Sequence, residues 1–155
     1  MNFTDPAIAG QFWVVNDNVM GGRSNSRVVA HPDGVIFEGM VSLENNGGFA
    51  SIRCQANFLE GTGVLRLTAR GDGKHYQLIL RTDVSRMAPL YKCQFVASNE
   101  WHTHEFHPHH FEASFRGSPV DAPPLIFAET REFGVLIADK QAGAFQLVLR
   151  ELLSN

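Results

Sequence analysis

The chain has 155 residues, enough for one domain with a real core, and 44% hydrophobic against 19% charged residues is the balance of a globular protein. Its 13 basic and 16 acidic residues leave a net charge of −3, which gives no electrostatic footprint for DNA or RNA. No apolar run approaches membrane-spanning length, and Met1-Asn2-Phe3-Thr4-Asp5-Pro6 has neither region of a signal peptide, so a cytosolic protein without membrane insertion is expected.

Thr4 is placed to cap a short turn, with Pro6 close behind it. Trp13 to Ser24 then joins a strand-like run to a turn rich in Asn, Asp and Gly. Strands are expected at 34–43 and 49–54, separated by Asn45-Asn46-Gly47-Gly48. Over 64–70 the alternation is clean: Leu65, Leu67 and Ala69 face one way, and Arg66, Thr68 and Arg70 the other. Gly71-Asp72-Gly73-Lys74 follows, and 75–81 alternates again with Tyr76, Leu78 and Leu80 inward. This predicts a hairpin closed by glycines at positive φ. Four more strands are expected at 90–96, 101–106, 133–138 and 144–152.

Between these runs the gaps are too short for crossover helices, so a parallel sheet is excluded. Short strands separated by turn signals predict an all-β, two-sheet antiparallel sandwich over residues 1–155. The Pro-rich stretch 117–124 is expected to be a surface loop. Twelve phenylalanines against two tyrosines suit a sandwich interior. Cys54 and Cys93 share no metal or redox spacing and fall on inward parity, so buried reduced thiols are expected.

The chemistry-bearing candidates are few. Asn16 and Asp17, with Asn18, Gly21, Gly22 and Arg23, form either a structural loop or a ligand rim in which glycine N–H groups and Arg23 meet an anion. His102 and His104 share a face of one strand and are weak metal candidates. Without a third ligand they are solvated imidazoles on a polar strand edge. No nucleophile elbow, phosphate loop or placed carboxylate pair appears, and no cofactor is expected. The best lead is the set of outward polar residues: Arg53, Arg66, Arg70, Gln77, Arg81 and Lys92. They are either an ordinary solvated face or a surface whose guanidinium forks read carboxylates or sugar hydroxyls. Trp13 and Trp101 begin strands and are expected to pack in the core.

Certain pieces recur in a fixed order. They are Asn16-Asp17-x-Val19-Met20-Gly21-Gly22-x-Ser24, Phe37-x-Gly39-x-Val41-Ser42-Leu43, Asn46-Gly47-Gly48-Phe49-Ala50-Ser51-Ile52-Arg53 and Arg70-Gly71-Asp72-Gly73-x-x-Tyr76. Trp101, Phe111, Arg116-Gly117, Pro123 and Asp139-Lys140-Gln141-x-Gly143-x-Phe145-x-Leu147 follow. Taken together, from about Trp13 to Arg150, the chain resembles the complex I intermediate-associated protein 30 family. The resemblance implies a jelly-roll, galactose-binding-like sandwich. Some relatives assist assembly of respiratory complex I, and carbohydrate-binding modules share the fold. A protein-binding accessory or assembly factor is therefore implied, with a carbohydrate-binding module on the same polar face as the alternative, and no catalysis. His104 departs from the family, which has an aliphatic residue at that parity.

Overall fold

A computed structural model describes residues 1–17, 21–83, 85 and 87–155 of the chain. Asn18, Val19 and Met20 of the first motif lie outside the described residues. Two antiparallel sheets face each other as a jelly-roll sandwich. The larger has seven strands: β1 (Trp13–Val14), β4 (Ala50–Gln55), β6 (His75–Arg81), β7 (Leu90–Val96), β9 (Glu112–Phe115), β10 (Ser118–Pro119) and β11 (Glu132–Ile137). Their spatial order is β1-β4-β11-β6-β7-β9-β10. The smaller contains β2 (Asn25–His31), β3 (Gly34–Val41), β5 (Leu65–Gly71), β8 (His102–Phe106) and β12 (Gly143–Ser154), in the order β2-β3-β12-β5-β8.

The period-two pattern explains the core. Leu65, Leu67 and Ala69 of β5 are fully buried, as are Tyr76, Leu78 and Leu80 of β6. Aromatic rings bridge the layers: Tyr76 lies 6.5 Å from Phe145 of β12, and Phe95 of β7 lies 6.0 Å from Phe106 of β8. Phe3 reaches in from the N-terminal segment and packs 5.9 Å from Phe133. Both cysteines are free. Cys54 is buried, whereas Cys93 is only half-buried.

The expected hairpin at Gly71–Lys74 does not form, because β5 and β6 belong to different sheets. The turn is an arch that carries the chain across the core. Asp72 fixes it by accepting hydrogen bonds from the Tyr76 hydroxyl at 3.0 Å and from the Gln146 N–H at 2.9 Å. Gly71 is needed there for close approach, since a Cβ would sit 2.7 Å from that of Ala97. A hairpin and an arch show the same local alternation, and only the distant partners tell them apart. At the N-terminus it is the Asp5 carboxylate, rather than Thr4, that accepts from a turn N–H, that of Ala7. Pro119 lies in the two-residue edge strand β10, where a missing N–H costs no ladder bond.

Candidate functional site

The outward polar residues divide between the two sheets. Arg66 and Arg70 stand on the five-stranded sheet; Arg53, Gln77, Arg81 and Lys92 stand on the seven-stranded one. The two faces differ in how their charges are met.

On the five-stranded sheet Arg27, Arg66 and Arg70 are each matched by a carboxylate. Arg66 Nε pairs with Glu105 at 3.3 Å, and Arg70 pairs with Asp33 at 3.2 Å. Arg27 pairs with Glu38, which also accepts from the Gln146 amide at 2.9 Å. An open hollow of about 680 Å³ beside these residues is thus lined by groups already engaged. Trp101 is not core either. Its ring is contacted by the guanidinium groups of Arg70 and Arg150, each 4.8 Å from a ring centroid.

The outer face of the seven-stranded sheet is different. One cross-strand row runs Trp13, Arg53, Gly134, Ile79, Lys92 and Glu112, with each residue opposite the next. Trp13 is 39% exposed at the end of this row, so the expectation that it packs in the core is corrected. Gly134, in the central strand β11, leaves room for Arg53 to lie along the sheet; a Cβ there would come within 3.1 Å of Arg53 Cγ. Ile79 is only 1% exposed although it lies outside the main core cluster. Side chains above the sheet therefore cover it.

Beside that row, Arg81 Nη1 pairs with Glu132 Oε2 at 3.4 Å, with both side chains 12% exposed. Arg81 also donates to the Ser85 carbonyl. Arg53 belongs to none of the ion pairs among the described residues. Burial holds its guanidinium below the usual arginine range, and the charge of Arg81 adds to that; Glu132 acts in the opposite sense. Two arginines thus share one carboxylate in a partly desolvated place. Three buried polar atoms on this face have no hydrogen-bond partner among the described residues: Arg53 Nε, Arg81 Nε and Gln77 Oε1. Native proteins leave few such atoms, and these three stand on β4 and β6, the two strands that flank β11.

Asn16 and Asp17 are satisfied by groups of the protein itself. Asp17 is buried and accepts from the Ser24 N–H at 2.9 Å, from the Gly48 and Phe49 N–H groups at 2.7 and 3.2 Å, and from the Ser24 hydroxyl at 2.5 Å. Burial alone would raise its pKa, but these bonds together hold it below the ordinary carboxylate value. Asn16 Oδ1 accepts from the Ser26 hydroxyl and the Ser51 N–H. Gly22 and Gly47 pack so close to Asp17 that a Cβ on either would clash with its side chain. Arg23 is exposed and pairs with Glu44 at 3.5 Å.

His102 and His104 do share a face of β8, their rings 4.6 Å apart. His104, however, is not a solvated imidazole: its Nε2 is buried without a partner and its ring packs 4.8 Å from Phe95. Burial, aided by the charge of His102, pushes its pKa down to about 4. His107 bonds to Glu105 instead. Among the described residues no three His, Cys, Asp or Glu side chains are gathered for a metal.

A family model described as Complex I intermediate-associated protein 30 matches residues 1–149. No curated protein matches the chain in sequence. Among solved structures, the chain is similar to the family 11 carbohydrate-binding module from Clostridium thermocellum in complex with a β-1,3-1,4-mixed-linked tetrasaccharide. The TM-score is 0.62 at 11% identity, covering 92% of this chain and 88% of that one. The family 11 module of the cellulosomal cellulase Lic26A-Cel5E of the same organism gives 0.61 at 10% identity, covering 93% and 86%. A family 4 module gives 0.53 at 14%, covering 93% and 86%. At such identities the likeness establishes the sandwich fold and nothing finer.

Proposed function

Because the chain belongs to the complex I intermediate-associated protein 30 family, we propose that it is a non-catalytic binding domain that captures a protein partner on the outer face of its seven-stranded sheet. The observation that carries this reading is Arg53. It is a partly buried cation in none of the ion pairs among the described residues, while Arg27, Arg66 and Arg70 of the opposite sheet each pair with a carboxylate. Arginine and tryptophan with desolvated neighbours are the residue types that anchor protein interfaces. Lys92 and Glu112 extend the row on one side and Trp13 closes it on the other.

One observation favours the carbohydrate alternative. Trp13 exposes its ring next to hydrogen-bonding groups, the combination that sugar platforms use. It is the one tryptophan, tyrosine or phenylalanine of the row, which favours a protein over an extended glycan.

The test is affinity capture from a lysate of the source organism, quantified by mass spectrometry, with wild type, Arg53→Gln and Arg66→Gln as baits. A defined set of proteins held by wild type and Arg66→Gln, and lost with Arg53→Gln, is the expected result. No selective set, or equal loss with both variants, contradicts the reading.

A further inference from the structure

The geometry points to a carboxylate receptor at Arg53 and Arg81, filled by an acidic side chain from an extended segment of the protein partner. This rests on the protein-binding reading above and specifies its chemistry.

Charge comes first. Arg53 and Arg81 present two guanidinium groups, and the neighbouring Glu132 supplies one carboxylate. A second carboxylate would complete a two-by-two array of charge-assisted hydrogen bonds, the strongest kind available to side chains. Arg53 belongs to no ion pair among the described residues and its side chain is only half-buried, so the missing group is an anionic acceptor that meets its guanidinium. The buried Ile79 beneath the two arginines keeps the local dielectric low, which strengthens such bonds.

A second requirement comes from Gln77. Its Oε1 is buried and lacks a donor. Gln77 lies two residues before Ile79 on β6, a step of about 7 Å along the strand. Because β11 separates β6 from Arg53 on β4, the ligand must offer an anionic acceptor near Arg53 and a donor roughly 12 Å away. An extended peptide meets both needs, with an acidic side chain at the arginines and a backbone N–H three or four residues further along at Gln77. Around these groups stand the half-buried Leu136, opposite Gln77, and the exposed Val96. These aliphatic side chains suit a peptide better than successive sugar rings. The net charge of −3 adds a consequence: attraction for an acidic segment is confined to the arginines, where partial burial limits its screening by salt.

The experiment is a titration of the ¹⁵N-labelled full chain, following the arginine Nε–Hε signals. The probes are hexaglutamate, hexaglutamine and polygalacturonate. Saturable shifts of the Arg53 and Arg81 signals with hexaglutamate alone are expected. They should weaken at least about tenfold in Arg53→Gln and stay unchanged in Arg66→Gln. Arg53→Gln should melt no lower than wild type, so that lost binding is not lost folding. A response to polygalacturonate alone assigns the receptor to an acidic sugar and overturns both this inference and the protein reading. No response to either carboxylate, with Arg53-dependent capture from lysate retained, overturns the carboxylate receptor and leaves the protein reading standing. Equal responses in wild type and Arg53→Gln overturn the receptor as placed.

Discussion

Arg53 lies over Gly134: its Cγ is 3.1 Å from the point that a β-carbon on that glycine would occupy. The same β-carbon would sit 2.2 Å from the carbonyl oxygen of Ile52, a backbone atom that cannot yield. Gly134→Ala is therefore expected to force β4 and β11 apart locally. A loss of about 1–3 kcal/mol by urea unfolding is expected, together with weaker partner capture. Unchanged stability would mean that the two strands are not held as closely as this.

The two tryptophans should behave oppositely. Trp101 packs against the guanidinium groups of both Arg70 and Arg150, so Trp101→Ala is expected to cost about 1–2 kcal/mol of stability. Trp13 is exposed beside Arg53, so Trp13→Ala should leave the melting temperature nearly unchanged and reduce capture. Reversal of these two outcomes would exchange the roles of the sheets.

Asp17 ties together the loops before β2 and β4. Its folded pKa lies below the ordinary value, so its contribution is present above the usual carboxylate range and is lost as pH falls through the folded pKa. Asp17→Asn should cost about 2–3 kcal/mol at pH 7, because N–H donors would then face an amide. It should also flatten the acid limb below about pH 4. Denaturant unfolding at pH 7 and pH 3 checks both, and an unaltered acid limb would assign that limb elsewhere.

His104 also costs stability as pH falls, in a different window. Its folded pKa of about 4 lies below the ordinary histidine value near 6.5, so between these the unfolded chain binds the extra proton. Stability should therefore fall as pH drops from 6.5 to 4. His104→Leu removes the buried unpartnered Nε2 and should be relatively more stable than wild type at pH 5 than at pH 7.5. Thermal melts at the two pH values test this; an equal difference at both would exclude His104 as the source.

Much of the sandwich was legible because alternation marks a half-buried strand directly. Strands β5 and β6 came through with the inward residues assigned correctly. Strand β2 was missed: its polar ends Asn25-Ser26-Arg27 and His31 flank only a short apolar middle, as an edge strand tolerates. The hairpin at Gly71–Lys74 failed because local sequence does not reveal which sheet a strand joins. The same blindness merged Arg66 and Arg70 with Arg53 and Arg81 into one surface. Trp13 sits in a strand of two residues, too short for any periodicity to show which way it points. Glu132 lay one residue outside the expected strand and was missed altogether. Gly134, between Phe133 and Val135, carried a usable signal: a glycine inside a strand often marks a close approach by another group. The partnerless state of Arg53 is a property of three strands at once, and no single stretch of sequence contains it.

The central claim is that Arg53 is held for a ligand and not for the fold. The most direct measurement is the unfolding free energy of Arg53→Met by urea denaturation at pH 7. Removing a partly buried cation that lacks an ion-pair partner should leave stability equal to wild type or up to about 1 kcal/mol higher. A loss of more than about 1 kcal/mol would show that the fold itself depends on the guanidinium, and would contradict the account.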